Sequence, residues 1–173
     1  MNNNNPAPTS KKRDLVVTRV FDAPVELVWK AWTDPKHVMQ WWGPDYFTSP
    51  IAKMDFREGR TSLVCMRAPK EFGGQDMYST WAYKKIVPMQ SIEFIQNLSD
   101  KDGNLADPIK MGLPPEFPQD TRTVVTFKDL GNGKTEMTVT EDGMPEANIQ
   151  MGKNAEIGLN QSLDKMAASF AMA

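Results

Sequence analysis

LVVTRVFDAPVELVWKAWTDPKHVMQWWGPDYFT, residues 15–48, is the stretch on which the fold turns. Its first part, LVVTRVF (15–21), is rich in β-branched and apolar residues and predicts a strand. Asp22 is placed to cap a helix, and Pro24 suits a first helical turn. Residues 24–32 then carry Val25, Val28, Trp29 and Trp32 at helical spacing. Thr33, Asp34 and Pro35 restart the same signal, predicting a second, short helix over about residues 35–41, which Gly43-Pro44 ends. Trp41 and Trp42 close that helix side by side. Neighbours on a helix point about 100° apart, so they cannot share a face. Trp41 is expected to pack inward with Val38 and the first helix, and Trp42 to fix the turn into the second strand beside a cavity mouth.

Beyond this stretch the period changes from helical to two. Residues 47–56, 59–69, 76–88, 91–98, 122–130 and 134–142 read as strands. Turn chemistry separates them at Glu58-Gly59, Gly73-Gly74, Pro88 and Gly131-Asn132-Gly133, the last being the strongest hairpin signal in the chain. Short connections imply an antiparallel meander. The exception is residues 99–121, a long connection rich in Pro and Gly, of the kind used as a lid or binding loop. From Pro145 to Phe170 an amphipathic stripe of Met151, Ala155, Leu159, Leu163, Met166 and Phe170 predicts one helix of roughly 35–40 Å. Gly152 and Gly158 weaken its first half. The fold class is therefore α+β: a seven-stranded antiparallel sheet, two short helices after the first strand, and a long C-terminal helix covering the face the sheet must bury. A sheet curled around that helix leaves a cavity between the two.

The 173 residues fit one domain over 14–173, with residues 1–13 as a disordered tail. A net charge of −2 leaves no basic excess for nucleic acid. One cysteine and one histidine exclude a disulfide framework and a multi-imidazole or cysteine-rich metal site. There is no apolar signal segment and no run long enough to span a membrane, so a cytoplasmic protein is expected. No cofactor motif stands out: the Gly73-Gly74 segment lacks the lysine and helix of a phosphate loop.

Residues 17–48, with MDFREG (54–59), YKKIVP (83–88), the segment from DKDGN (100–104) through GLPPEFPQDTRTVVTF (112–127), and NQSLDKMAASFA (160–171), resemble the family of proteins similar to the C-terminal domain of the activator of Hsp90 ATPase, within the START-like superfamily. The resemblance covers about residues 15–171. It implies the helix-grip fold, in agreement with the element order. Its functional implications are broader, covering small-molecule binders, cyclase-like proteins and proteins of undefined role. Two positions depart from the family pattern: Trp81 stands where glycine is usual, and Leu159 where an aromatic is common. If both face inward they compensate in volume and reshape the cavity.

Candidate chemistry is sparse. His37 reads as a surface histidine and Cys65 as a buried thiol, with a pocket-lining thiol as the alternative. Asp55, Glu58, Glu93, Glu141 and Asp142 lie in or beside strands, where a carboxyl enclosed by an apolar cavity would act as acid or base. Arg57, Arg60 and Arg67 are suited to orient an anion or to pair at the surface. The apolar set carries more. Trp29, Trp41, Trp42, Met54, Met66, Trp81, Phe94, Phe127, Met151, Leu159, Leu163 and Met166 are the candidate cavity residues, with plain core packing as their alternative role.

Three functions follow. The first is binding of a hydrophobic or lipid-like small molecule between the sheet and the C-terminal helix, with residues 99–120 as lid. The second is an enzyme of cyclase, dehydratase or hydrolase type in the same cavity, using a carboxylate or Tyr78 or Tyr83. It requires an ionisable side chain facing that cavity. The third, implied by the resemblance alone, is an Hsp90 co-chaperone role, although the activator also uses a separate N-terminal domain for which a chain of this length leaves no room. Oligomeric state is open.

Overall fold

The computed structural model describes residues 12–115, 117–145 and 150–172, with the side chains of Gln150 and Met151 outside the described set. Residues 1–11 of the expected tail also fall outside it. Seven strands form one antiparallel sheet: β1 (Lys12–Phe21), β2 (Thr48–Lys53), β3 (Thr61–Arg67), β4 (Asp76–Val87), β5 (Ser91–Ser99), β6 (Asp120–Gly131) and β7 (Lys134–Pro145). Two short helices, α1 (Val25–Thr33) and α2 (Pro35–Trp41), follow β1, and α3 (Gln150–Phe170) ends the chain. The strand order is β1-β7-β6-β5-β4-β3-β2. The chain thus enters on one edge, is carried by α1 and α2 to the other, and steps back strand by strand until β7 pairs with β1. Among the described residues no helix is long and apolar enough to cross a membrane.

Local chemistry explains the boundaries. The Asp34 carboxylate accepts hydrogen bonds from the Lys36 and His37 amides at 2.9 and 3.4 Å, and Pro35 occupies the first turn of α2. Asp34→Ala is therefore expected to cost about 1 kcal/mol in chemical denaturation. No loss would mean that water caps the helix equally well. α1 departs from the sequence expectation. Pro24 is its cap residue and no side chain caps it. The Pro24 carbonyl accepts the first helical bonds, from Leu27 at 3.0 Å and Val28 at 3.2 Å, so Asp22 lies too far upstream to reach a free amide.

Gly43 turns the chain out of α2 at φ +107°, and a Cβ there would lie 3.1 Å from Phe47 Cβ and 3.3 Å from Met66 Cβ. At the β6–β7 hairpin Gly131 pairs with Lys134, leaving Asn132 and Gly133 as the two-residue loop, both at positive φ. α3 begins at Gln150 rather than near Pro145, because β7 runs on to Pro145. Lys165 of α3 donates to the carbonyls of Pro44 and Phe47 at 3.2 and 3.1 Å, tying the long helix to the α2–β2 turn. A Cβ at Gly158 would stand in ordinary contact with Pro44 Cβ at 3.9 Å.

The core lies between the inner face of the sheet and the helices. Leu15, Val17, Val64, Ile92, Val125, Met137 and Val139 supply the strand side, and Val28, Trp32, Val38, Leu163 and Met166 the helix side. Aromatic rings run through it in one connected series. Trp32 meets Trp41 at 4.7 Å, Trp42 meets Trp81 at 5.1 Å, Trp81 meets Phe94 at 5.0 Å, and Trp29 meets Phe127 at 5.2 Å. All five tryptophans of the chain belong to this series or flank it.

Candidate functional site

The sheet's register sets the site. On the inner face Tyr83, Phe94, Thr123, Glu141 and Leu15 lie in one row across five strands. The next row toward the β5–β6 connection holds Trp81, Gln96 and Thr121. At the β2–β4 side these rows are closed by the tryptophans. At the β5–β7 side they are not, and a groove of about 490 Å³ opens there. Its floor is Gln96, Thr121 and Glu141. Its walls are Leu98 of β5, Met144 of β7, Ala155 of α3, and Pro114, Phe117 and Pro118 of the β5–β6 connection.

That connection is a chain of turns. The Asp100 carboxylate accepts from the amides of Asp102 and Asn104, both at 2.9 Å, and Ser99 bridges to Leu105. This first half lies over the outer face, where a Cβ on Gly103 would meet Thr80 at 3.8 Å. Among its described residues, Pro114, Phe117, Pro118 and Gln119 reach the groove.

Of the five carboxylates singled out in the sequence, four are engaged. Asp55 pairs with Arg57 at 2.8 Å and Arg60 at 3.5 Å, and the hydrogen bond from Arg57 holds its carboxyl below the usual range. The Glu58 carboxylate accepts the Ile86 amide at 2.9 Å. Glu93 and Asp142 share Arg122, each at 2.9 Å. Glu141 differs. It is half-buried, it borders the groove, and it has no hydrogen-bond or ion-pair partner among the described residues. Exclusion of water pushes its carboxyl up to about 7. Beside it in the same row, Thr123 Oγ1 is buried with no partner.

Other ionisable groups lie elsewhere. Arg67 pairs with Asp76 at 2.7 Å, so the three arginines are all in ion pairs. Cys65 is fully buried and burial raises its thiol further. The Tyr83 hydroxyl meets Ser62 Oγ at 2.8 Å, and burial pushes it up to about 12, which removes it from proton transfer near neutrality. Tyr78 points to the opposite face, where desolvation also raises it. His37 borders a separate hollow between α2 and the end of α3, with Gln40, Lys165 and Ser169.

Eleven of the twelve apolar candidates fall outside the groove lining. Trp29, Trp41, Trp81, Phe94, Phe127, Leu163 and Met166 are buried in the core, and Trp42, Met54 and Leu159 pack against it half-buried. Met66 is half-buried beside Gly43, and the side chain of Met151 lies outside the described residues. Trp81 is buried in this core and Leu159 packs against it half-buried. The residues that do line the groove are chemically ordinary in sequence, apart from Glu141. Its place follows from β7 alternation: Met137, Val139 and Glu141 share one face. The sequence carries that parity but not which parity faces inward.

Residues 22–171 match the family model described as activator of Hsp90 ATPase homolog 1-like protein. No curated protein matches the chain. Among solved structures, a protein from Chromobacterium violaceum is 25% identical, with 91% of this chain and 96% of that one covered and a TM-score of 0.71. A protein from Arthrobacter aurescens is 22% identical, covering 96% and 91%, with a TM-score of 0.76. The AHSA1 protein from Silicibacter pomeroyi is 20% identical, covering 92% and 99%, with a TM-score of 0.70.

Proposed function

This chain belongs to the family of activator of Hsp90 ATPase homolog 1-like proteins, START-like in fold and commonly ligand-binding, and from that premise we propose that it binds a hydrophobic small molecule in the groove between β5–β7 and α3. The groove itself carries this reading: about 490 Å³ of space, walled by Leu98, Phe117, Pro118, Met144 and Ala155 and open at one end of the core. Such volumes and apolar linings are typical of small-molecule sites. Pro114, Phe117, Pro118 and Gln119 of the β5–β6 connection serve as its lid.

The test uses N-phenyl-1-naphthylamine, a neutral apolar probe that fluoresces on leaving water. Saturable uptake with one-to-one stoichiometry in native mass spectrometry is expected. Ala155→Trp, which fills the groove from α3, is expected to weaken uptake about tenfold, roughly 1.4 kcal/mol. Uptake that is absent, or indifferent to Ala155→Trp in a folded variant, would remove the reading.

Glu141 supports a second reading. A groove-facing carboxyl with a pKa near 7 suits general acid–base chemistry on a bound molecule. Turnover would then follow the protonation of Glu141. The co-chaperone reading rests on the family's name, and the groove adds nothing specific to it.

A further inference from the structure

Resting on the small-molecule reading, we propose that the groove selects an amphipathic amine, whose ammonium group docks on Glu141, over an alcohol or a carboxylate of the same size. The floor carries the argument. Gln96 opposes Thr121 across β5 and β6, and Thr123 opposes Glu141 across β6 and β7, in adjacent rows. Directly opposed side chains have Cβ atoms about 5 Å apart, so Gln96, Thr121 and Glu141 form a polar floor in the groove, and Thr123 is buried beside Glu141 outside the lining. Two of them, Glu141 and Thr123, lack any partner among the described residues.

Among the described residues, the cations near the patch are ion-paired elsewhere or face away. Arg13 of β1 is held through Nη2 by Glu156 of α3 at 2.8 Å, while its buried Nε has no partner. Arg122 of β6 alternates with Thr121 and Thr123, so it lies on the outer face with Glu93 and Asp142. Lys153 of α3 is exposed. Pro114, Phe117, Pro118 and Gln119 bring no charge. The carboxyl is thus the single ionisable group among the described residues of the groove lining, and none of those residues carries a positive charge. An enclosed carboxylate is unfavourable unless paired. A ligand ammonium supplies the pair through charge-assisted hydrogen bonds, with Gln96 and Thr121 of the same floor as further acceptors. A ligand carboxylate would add like charge to the patch.

Affinity must then depend on pH in a definite sense. An alkylammonium keeps its proton to about pH 10, as lysine does. Glu141 changes charge near pH 7. Amine affinity therefore rises as pH increases through neutrality, while alcohol affinity does not. Calorimetric titration of the full chain with octylamine, octan-1-ol and octanoate at about pH 5.5 and about pH 8 tests this. Octylamine is expected to bind about tenfold tighter than octan-1-ol at the higher pH, with the margin shrinking at the lower. Octanoate should be weakest. Glu141→Gln should abolish the amine margin and its pH dependence, leaving octan-1-ol within about twofold. Octanoate binding as well as octylamine, or an amine margin that survives Glu141→Gln, would overturn the inference. If octan-1-ol binds with no amine margin, only the amine inference falls. If all three probes and the naphthylamine fail to bind, the small-molecule reading falls with it.

Discussion

Trp41→Ala is expected to lower folding stability by about 4 kcal/mol, the range for removing a fully enclosed aromatic side chain. Trp41 is completely buried. Its ring packs edge-on to Trp32 at 4.7 Å and to Trp42 at 5.7 Å. Its indole N–H donates to the Ala31 carbonyl at 2.6 Å, joining α2 to α1. The alanine variant leaves both a cavity and a buried carbonyl without that donor, and each adds to the loss. Trp42→Ala should cost clearly less, because that side chain is only half-buried and its Nε1 has no partner. Urea denaturation measures both. A cost for Trp41→Ala below about 1 kcal/mol would contradict its role as the anchor between α1 and α2. Because Trp41 lies outside the groove lining, naphthylamine uptake by the folded fraction should be unchanged.

Glu141→Gln is expected to stabilise the protein at alkaline pH and to do so progressively less toward acid. In the folded chain the carboxyl is raised from 4.5 to about 7, so the native state holds the proton more tightly than the unfolded chain. Its contribution is complete below about pH 4.5 and is lost as pH rises toward 7. The wild type should lose about 2 kcal/mol across that window from this one group, less than a fully enclosed carboxyl would, since the groove admits solvent. The glutamine variant has no such titration. The difference between the two proteins should therefore open between about pH 5 and pH 8. Parallel stability curves would mean a solvated Glu141, and the amine inference would lose its chemical basis.

Much of the fold is legible without coordinates. The alternation in residues 134–142, the Asn132-Gly133 turn and the Asp34-Pro35 helix start are local signals, and each forms as read. Misreadings sit where two local options compete. Pro24 can either precede or open a helix, and its carbonyl proves to be the cap. Pro145 can end a strand or begin a helix, and pairing with Lys12 keeps it in β7.

The site was less legible, for a different reason. The sequence marks large apolar side chains as pocket candidates, yet such side chains are the ones that fill space. Trp29, Trp41, Trp81 and Phe94 consume the volume between sheet and helices, so the opening lies where the side chains are smaller: Thr121, Ala155 and the Pro-rich segment from Pro114 to Gln119.

The sequence by itself determined the element order, the turns, the capping of α2 and the family, because these rest on interactions within a few residues or on motif identity. The tertiary structure alone decided which strand parity faces inward, where the core stops filling and where the groove begins. Those outcomes depend on pairing and packing between residues more than a hundred positions apart, such as Arg13 with Glu156 or Lys165 with Pro44. The same packing leaves Glu141 at the groove without a partner among the described residues, while the four other carboxylates singled out in the sequence find theirs.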